Sequence, residues 1–273
     1  MIESGEDLSL FEKYYSKLDL FGHGDGSQSE WEKTLQVLKV PLPVSFRWNS
    51  AVDFQEKVSK QKYQGRKVFD ENRIHYKEQG FVDAWELDVD AKSLQNEHDK
   101  KKAFRWIVAN TRSGVISRQE VASMIPVSLL DIQPNHRVLD LCASPGSKTR
   151  QALEKLCGNV AIKKDDRGIV VANDVNLKRS FIISNRCNVL GLHTQRLCVT
   201  NHKAQRFPNI SIKASDGELS RGKTDLDGQY DRIVCDVPCS GDGTLRKDPI
   251  VSLFKPIIVL HLLTIHNSFS DLG

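Results

Sequence analysis

Short apolar segments alternate with longer polar ones from Pro134 onwards, and this alternation constrains the fold more than any other feature of the chain. The apolar segments are only a few residues long and end in polar or turn-forming residues, as strands do. The predicted strands are Arg137 to Cys142, Gly168 to Asp174, Thr194 to Val199 and Tyr230 to Asp236. Because strands separated by helices form a parallel sheet, we predict an α/β, Rossmann-like, doubly wound sheet.

The first part of the chain, up to about residue 105, differs in composition. Aromatic and charged residues are mixed there, and Pro41-Leu-Pro43 precedes a candidate strand. We predict three regions: a small α+β unit (1–105), a partial catalytic domain (106–248) and a tail (249–273). Lys57–Lys67 and Lys100–Trp106 combine basic and aromatic residues, which suits an RNA backbone with stacked bases. The alternative, which we favour for a lone charge run, is a solvated helix face with its aromatic rings in the core.

Two local patterns give further structural predictions. Ser117 is followed three residues later by Glu120, ahead of the apolar Val121 and Met124, so a capping box is predicted to open a helix. Residues 211–229 are rich in Ser, Gly, Asp and Lys, which predicts a mobile surface loop.

Composition excludes several classes of protein. Lys and Arg total 39 against 35 Asp and Glu, a balance that permits a polyanionic partner without requiring one. The six cysteines include no CxxC pair, so reduced thiols and no metal site are expected. The acidic N-terminus predicts no secretory signal, and Ile257–Leu263 is shorter than the ~20 apolar residues that cross a bilayer. We expect an intracellular, soluble monomer without a membrane span.

A ligand site is predicted where the first strand of the sheet ends. Val138 to Thr149 reads as a buried strand, a tight Pro-Gly turn and a helix, the kind of edge at which open α/β sheets bind ligands. Gly146 lets the backbone approach a ligand, and the helix N-terminus offers free N–H groups to a carboxylate. Leu141 stands where a P-loop needs glycine, so a nucleoside triphosphate is disfavoured.

Two further strand ends carry candidate functional groups. Asp174 can accept hydrogen bonds from both hydroxyls of a ribose; the alternative is that it caps the next helix. After the fourth strand, Asp236, Pro238 and Cys239 place an acid, a fixed turn and a thiol together. Because Cys239 follows Pro238 and precedes Ser-Gly-Asp-Gly, we predict a catalytic role for it rather than a core role.

These motifs resemble those of the Nop/Sun-domain (NSUN) RNA cytosine-5 methyltransferases, and they look closest to the tRNA-modifying branch. The segments that carry the resemblance are Phe11–Tyr15, Pro41–Arg47, Ile116–Glu120 and Asp236–Thr244. The resemblance implies that S-adenosylmethionine is held by Cys142, Ala143, Ser144, Pro145, Gly146, Ser147, Lys148, Asp174 and Asp236. It also implies that Lys148 faces the target cytosine, that the substrate is RNA of the tRNA class, and that the location is nuclear or nucleolar.

The resemblance also implies a division of labour between two cysteines. Carbon 5 of cytosine is a poor nucleophile, so a thiolate first adds to carbon 6. In the family this nucleophile lies on the next strand, and the Pro-Cys cysteine, here Cys239, assists breakdown of the adduct. No cysteine follows Cys239, and residues 249–273 resemble no part of the family. We therefore expect little or no turnover from this chain.

Three other expectations follow. Lys203 stands where the family usually has a carboxylate near the adenine, which weakens the predicted cofactor site. The fourth strand is predicted to be an exposed edge that invites aggregation, and Ile257–Leu263 is a candidate to pair with it. Two alternatives to an inactive methyltransferase are a noncatalytic RNA-binding or partner-sequestering protein, and an enzyme in which Cys239 itself attacks the base.

Overall fold

The structure is a computed structural model that describes residues 12–16, 18, 27–49, 84–158, 168–190, 195–208, 230–239 and 242–247. The chain divides into two compact units, one formed by Met1–Leu42 with Pro238–Gly273 and the other by Pro43–Val237. The first unit contains helix α1 (Ser27–Leu38) and a 3₁₀ turn, Asp242–Thr244. The predictions made for 57–67, 211–229 and 257–263 lie outside the described residues.

The unit Pro43–Val237 begins with a three-stranded antiparallel sheet in the order β2-β1-β3. The strands are β1 (Pro43–Trp48), β2 (Ala84–Asp90) and β3 (Ile116–Arg118). Between β2 and β3 the chain forms α2 (Ala91–Asn96), a 3₁₀ turn (His98–Lys100) and α3 (Lys101–Arg112). The carboxylate of Asp90 caps α2 by accepting from the backbone N–H groups of Lys92 and Ser93. The predicted boundary between residues 105 and 106 falls inside α3.

The core of this first sheet is apolar and rich in aromatic rings. Its buried members are Val44, Phe46, Leu87, Leu94, Ile107, Val115 and Ile116. The indole of Trp106 on α3 lies 6.2 Å from the ring of Phe46 and 5.8 Å from that of Trp48, measured between centroids. These rings join α3 to the central strand.

The same contacts decide between the two interpretations of the basic segment Lys100–Trp106. Phe104 and Trp106 pack against the core, whereas Lys101 and Lys102 are exposed. The segment is therefore a helix with a solvated basic face and its aromatic rings turned inward, which is the alternative favoured from the sequence.

The second sheet has four parallel strands in the order β6-β5-β4-β7. They are β4 (Arg137–Asp140), β5 (Ile169–Asn173), β6 (Leu197–Thr200) and β7 (Arg232–Val234). This confirms the predicted α/β parallel sheet, although each strand has fewer residues than predicted. Among the described residues β7 is an edge strand, and its Ile233 is 51% exposed.

In the part of the chain that the structure describes, three helices accompany the parallel sheet: α4 (Val121–Leu129), α5 (Ser147–Cys157) and α6 (Leu177–Asn188). A short 3₁₀ turn, Ala204–Arg206, follows β6. The largest buried cluster of this half contains Val127, Ile132, Val138, Ala152, Leu153, Leu156, Cys157, Val170, Leu190 and Val234. Since both faces of α5 contribute buried residues, this helix lies deep inside the unit. No helix among the described residues has the length and apolar character that a membrane crossing requires.

The predicted capping box at Ser117 is wrong. Ser117 lies on β3, where it pairs with Arg47, and Glu120 is the residue that precedes α4 without a side-chain cap. The hydroxyl of Ser117 donates instead to Glu154 Oε1 at 2.8 Å. A helix does follow, but it begins at Val121 rather than at Arg118, where a capping box at Ser117 would start it, because Ile116–Arg118 forms strand β3.

A buried polar network joins the two sheets. Glu154 on α5 is 1% exposed, and its carboxylate accepts from Arg47 Nη1 on β1, from Arg150 Nε at 3.0 Å and from the Ser117 hydroxyl. Arg150 Nη2 also donates to the carbonyl of Gly114 at 3.0 Å. One carboxylate therefore holds two guanidinium groups, one from β1 of the antiparallel sheet and one from its own helix α5, and burial lowers the pKa of Arg150 although Glu154 opposes that shift.

We predict that Glu154→Gln lowers the free energy of unfolding by about 3–5 kcal/mol, because removing one partner leaves buried arginines without their counter-charge. Urea unfolding followed by circular dichroism measures this change. The control is Glu97→Gln, which removes an exposed carboxylate that pairs with Lys100 at 2.8 Å and should change stability little. Equal effects of the two substitutions would contradict the role given to Glu154.

Candidate functional site

The carboxyl ends of the parallel strands are tied together by one buried amide. Asn173, the last residue of β5, donates from Nδ2 to the carbonyls of Leu141 at 3.0 Å and His202 at 2.9 Å. Its Oδ1 accepts from the Thr200 hydroxyl and from the His202 backbone N–H. The segments that follow β4, β5 and β6 are thus held at one sheet edge, where open α/β sheets bind ligands.

A backbone hydrogen bond and close packing define the conformation of the segment that follows β4. The backbone N–H of Ala143 donates to Asn173 O at 2.7 Å, and the Ser144–Pro145 peptide bond is cis. Gly146 has φ +96°, and a Cβ there would lie 3.3 Å from the Cα of Ile183. A glycine is therefore required by the left-handed backbone and by packing against α6, a reason different from the ligand approach proposed from the sequence.

Helix α5 begins at Ser147 without a side-chain cap. The first backbone N–H groups of a helix have no intrahelical acceptor, and the helix dipole adds positive potential at this end. The start of α5 is consequently suited to an anionic group such as a carboxylate. Ser144 and Gly146 are buried, Pro145 is exposed, and Cys142, Ser147 and Lys148 are half-buried.

Asp174 follows Asn173 at the same edge and is buried. Its Oδ2 accepts from the backbone N–H of Ser144 at 3.3 Å, and its Oδ1 accepts from that of Asn176 at 2.9 Å. The side chain that caps α6 belongs to Asn176, whose Oδ1 accepts from Arg179 N. The alternative in which Asp174 caps this helix is therefore wrong, and the structure joins its carboxylate to the Cys142–Lys148 segment.

Arg179 is a neighbour of this carboxylate that the sequence interpretation missed. Its Nη2 donates to Ser144 O at 2.8 Å, and its Nε lies 3.7 Å from Asp174 Oδ2. The guanidinium is 51% exposed, so it borders solvent beside the carboxylate. The signal available in the sequence was helical spacing, because Arg179 sits in the first turn after the cap and can reach back to Asp174.

Lys148 and Asp236 form the second charged pair at this edge. Lys148 Nζ lies 2.6 Å from Asp236 Oδ2 and donates to the hydroxyl of Ser123 at 3.0 Å. The lysine side chain is 15% exposed and the aspartate side chain 57% exposed. The structure brings these two candidate residues into direct contact, an ion pair that was not predicted from the sequence, and Ser123, which is 25 residues from Lys148, was not predicted either.

Two ionisable groups beside the site are affected by burial. Burial raises the pKa of Asp140, at the end of β4, to about 6, although hydrogen bonding from Thr149 and the charge of Lys148 oppose the shift. The Thr149 hydroxyl donates to Asp140 Oδ2 at 2.7 Å, while Oδ1 is buried and has no hydrogen-bond partner among the described residues. Burial also raises the pKa of the Cys142 thiol, with smaller contributions from Cys235 and nearby carboxylates. Cys142 is thus disfavoured as a thiolate.

The remaining predicted residues are placed as follows. Cys239 is exposed and belongs to the unit that contains α1, whereas the other candidate residues belong to Pro43–Val237. Lys203 is exposed and precedes the 3₁₀ turn after β6. The described part of the chain contains no group of three His, Cys, Asp or Glu side chains that could hold a metal ion.

The geometry defines what this sheet edge can bind. A buried carboxylate on one side suits a ligand with hydroxyl groups, and the uncapped start of α5 suits a ligand carboxylate. The ammonium–carboxylate pair of Lys148 and Asp236 offers a donor and an acceptor to the edge of a polar ring.

Comparison with known proteins is consistent with this site. The family model described as 16S rRNA methyltransferase RsmB/F matches residues 127–259. A Saccharomyces cerevisiae protein named multisite-specific tRNA:(cytosine-C(5))-methyltransferase is 35% identical over 87% of this chain and 34% of its own length. A Drosophila melanogaster protein named tRNA (cytosine(34)-C(5))-methyltransferase is 32% identical over 92% of this chain and 34% of its own. The chain thus spans about a third of the length of these curated relatives.

Solved structures give the same fold. A crystal structure of a methyltransferase homologue from Pyrococcus horikoshii superposes with a TM-score of 0.54 at 21% identity, covering 92% of this chain and 68% of that one. At this level of identity the likeness concerns the fold alone, and it agrees with an α/β methyltransferase sheet.

We predict that Asp140→Asn stabilises the protein near pH 7.5 by roughly 3 kcal/mol and has a vanishing effect near pH 3. The folded-state pKa is raised from 3.8 to about 6, so the folded protein binds more protons than the unfolded chain between these values, and stability falls as pH rises through this window. Asparagine does not ionise, so the substitution removes the free-energy cost of a buried, charged carboxylate at high pH. Urea unfolding at several pH values measures the effect, and Asp131→Asn, at an exposed position, is the control. A stabilisation independent of pH would contradict this explanation.

Proposed function

The chain belongs to the RsmB/F-type RNA cytosine-5 methyltransferases, and from that premise we propose that Pro43–Val237 binds S-adenosylmethionine and presents a cytosine of RNA to it. The single observation that carries the proposal is the convergence of three charged groups at the carboxyl edge of the parallel sheet. Asp174 lies against the Cys142–Lys148 segment, and Lys148 pairs with Asp236.

The residues present fit this cofactor. Asp174 offers a buried carboxylate to ribose hydroxyls, and the uncapped start of α5 after Gly146 offers N–H groups to the methionine carboxylate. Arg179 extends the site beyond the predicted set, since its guanidinium borders Asp174 and Ser144 and can contact the ligand from the solvent side. S-adenosylmethionine, when bound, supplies an electrophilic methyl group.

The other half of the site is assigned to the base. Lys148 donates and Asp236 accepts, so together they can bind the polar edge of a cytosine and stabilise the ring after a thiolate has added to carbon 6. A base can reach such groups only when it is unstacked, which favours a loop or another single-stranded region of RNA. Cys239 is proposed to assist breakdown of the adduct, as the resemblance implies.

The proposed substrate class is tRNA. The relatives named for tRNA align with 87% and 92% of this chain, and therefore include its antiparallel sheet, whereas the family model begins at residue 127. The antiparallel unit is proposed to contribute to RNA binding. A nuclear or nucleolar location and a monomeric state are proposed from the resemblance alone.

These 273 residues contain one of the two cysteines that the resemblance requires, because no cysteine follows Cys239. We therefore propose that they bind cofactor and RNA without completing methyl transfer by themselves. The noncatalytic alternative, RNA binding or sequestration of a partner, differs from this proposal in requiring no cofactor.

Cofactor binding is tested by isothermal titration calorimetry with S-adenosylmethionine. We expect Asp174→Asn to weaken binding at least about tenfold, because a hydrogen bond to a charged acceptor is lost. Asp231→Asn is a matched control: Asp231 precedes β7 and accepts from Arg137 N at 2.6 Å, at the opposite end of the sheet. Absence of binding by the wild-type chain would overturn the assignment.

Methyl transfer is tested with purified chain, a labelled methyl donor and unmodified tRNA. We expect retention of tRNA on a filter without incorporation of label. Incorporation that Cys239→Ser abolishes would contradict the proposed inactivity and identify Cys239 as the attacking thiol. Incorporation of label that persists in the Cys239→Ser variant would contradict both roles considered for Cys239, attack on the base and breakdown of the adduct.

A further inference from the structure

We propose that Ser123 is a positioning residue that fixes the ammonium of Lys148 for the RNA base, an inference that rests on the proposed function of Lys148. The Ser123 hydroxyl accepts from Lys148 Nζ at 3.0 Å. The lysine has two hydrogen-bond partners among the described residues, Ser123 and Asp236, and an ammonium has three donors. One N–H donor is therefore left for a ligand.

The two partners of Lys148 differ in how firmly they are held. Asp236 follows the edge strand β7, and its side chain is 57% exposed. Ser123 lies in the first turn of α4, where its backbone N–H donates to Glu120 O at 3.0 Å. A lysine side chain has many rotamers, so an anchor on a helix restricts it more than a partner on an exposed loop does.

The main chain of Ser123 is held from outside its own helix. Gln119 Nε2 donates to Ser123 O at 3.0 Å and to Gln151 Oε1 at 2.8 Å, while Gln119 Oε1 accepts from Arg47 Nε. Gln151 lies on α5, one turn after Lys148, and its own Nε2 donates to Met124 O at 2.9 Å. These amides fix the start of α4 against the start of α5.

The consequence is that the Ser123 hydroxyl is presented at a constant position relative to Lys148. Ser123 and Asp236 accept from two of the three N–H donors of Lys148. Rotation of the ammonium is therefore restricted, and the third N–H points in a defined direction. Such preorganisation is what a site that binds the edge of one base requires.

The test measures the accessibility of the Lys148 amine directly. The wild-type chain and the variants are labelled with a trace of acetic anhydride, and modification at each lysine is read by peptide mass spectrometry with the exposed Lys101 as internal reference. We expect Ser123→Ala to raise labelling of Lys148 on the order of fivefold, the factor associated with one hydrogen bond of ordinary strength. Ser123→Thr keeps the hydroxyl and should label as the wild type does.

The matched control is Ser128→Ala on the same helix, whose hydroxyl donates to Met124 O at 3.0 Å and accepts from Gln151 Nε2 at 3.2 Å, so that this variant perturbs the amide network while the Ser123 hydroxyl stays in place. Unchanged labelling of Lys148 in Ser123→Ala, or an equal increase in Ser128→Ala, would overturn the proposal. Labelling of Lys148 that is as strong in Ser123→Thr as in Ser123→Ala would also overturn the proposal, because loss of the hydroxyl would then not explain the increase.

A second arm adds unmodified tRNA before labelling. We expect RNA to protect Lys148 in the wild type and to protect it less in Ser123→Ala. Absence of protection in the wild type, together with the fivefold effect of Ser123→Ala, would count against the proposed RNA site and would support the positioning role. The failures of the two proposals are therefore distinguishable.

Discussion

The buried carboxylate of Glu154 is the interaction on which the rest of the larger unit depends. It lies on α5, it is 1% exposed, and it receives hydrogen bonds from Arg47 on the antiparallel sheet and from Arg150 on its own helix. A buried charge is tolerated only when its partners are in place, so this carboxylate specifies one relative position of the two sheets. Ser117 lies on β3, the strand that pairs with the central strand β1, and its hydroxyl donates to the same carboxylate.

Fixing α5 also fixes the groups at its N-terminus. The helix begins directly after Gly146 and carries Lys148 in its first turn, so its axis determines where the free N–H groups and the ammonium point. On the next strand Asn173 performs the corresponding task for the loops, because one amide bonds to residues that follow β4 and β6. The candidate site thus lies where two buried polar networks end. Of the two groups proposed to face the ligand, Asp174 directly follows Asn173, and Lys148 donates to Ser123, whose carbonyl accepts from Gln119.

Much of this could be predicted from the sequence, for identifiable reasons. The parallel sheet was predictable because its strands are short apolar runs, and the Cys142–Lys148 segment because turn residues separate a strand from a helix. The pairing of Lys148 with Asp236 was not predicted, although the two residues follow strands β4 and β7, which are neighbours in the sheet. The role of Ser117 was missed because local spacing fits a capping box, while its partner Glu154 is 37 residues away. Ser123 and the orphaned oxygen of Asp140 leave no local pattern, since burial and long-range contact define both.

The buried polar network around Glu154, which connects the two sheets, changes how the family resemblance is interpreted. Two of the segments that carried it, Pro41–Arg47 and Ile116–Glu120, supply Arg47, Ser117 and Gln119 to the buried network rather than groups to the ligand. Since Gln119 Nε2 donates to Ser123 O and the Ser123 hydroxyl accepts from Lys148, one amide and one hydroxyl connect the antiparallel sheet to the lysine that is proposed to face the base. A protein that only bound RNA through this sheet would have no need to orient Lys148. The connection therefore favours a unit in which RNA binding and the cofactor edge act on the same base.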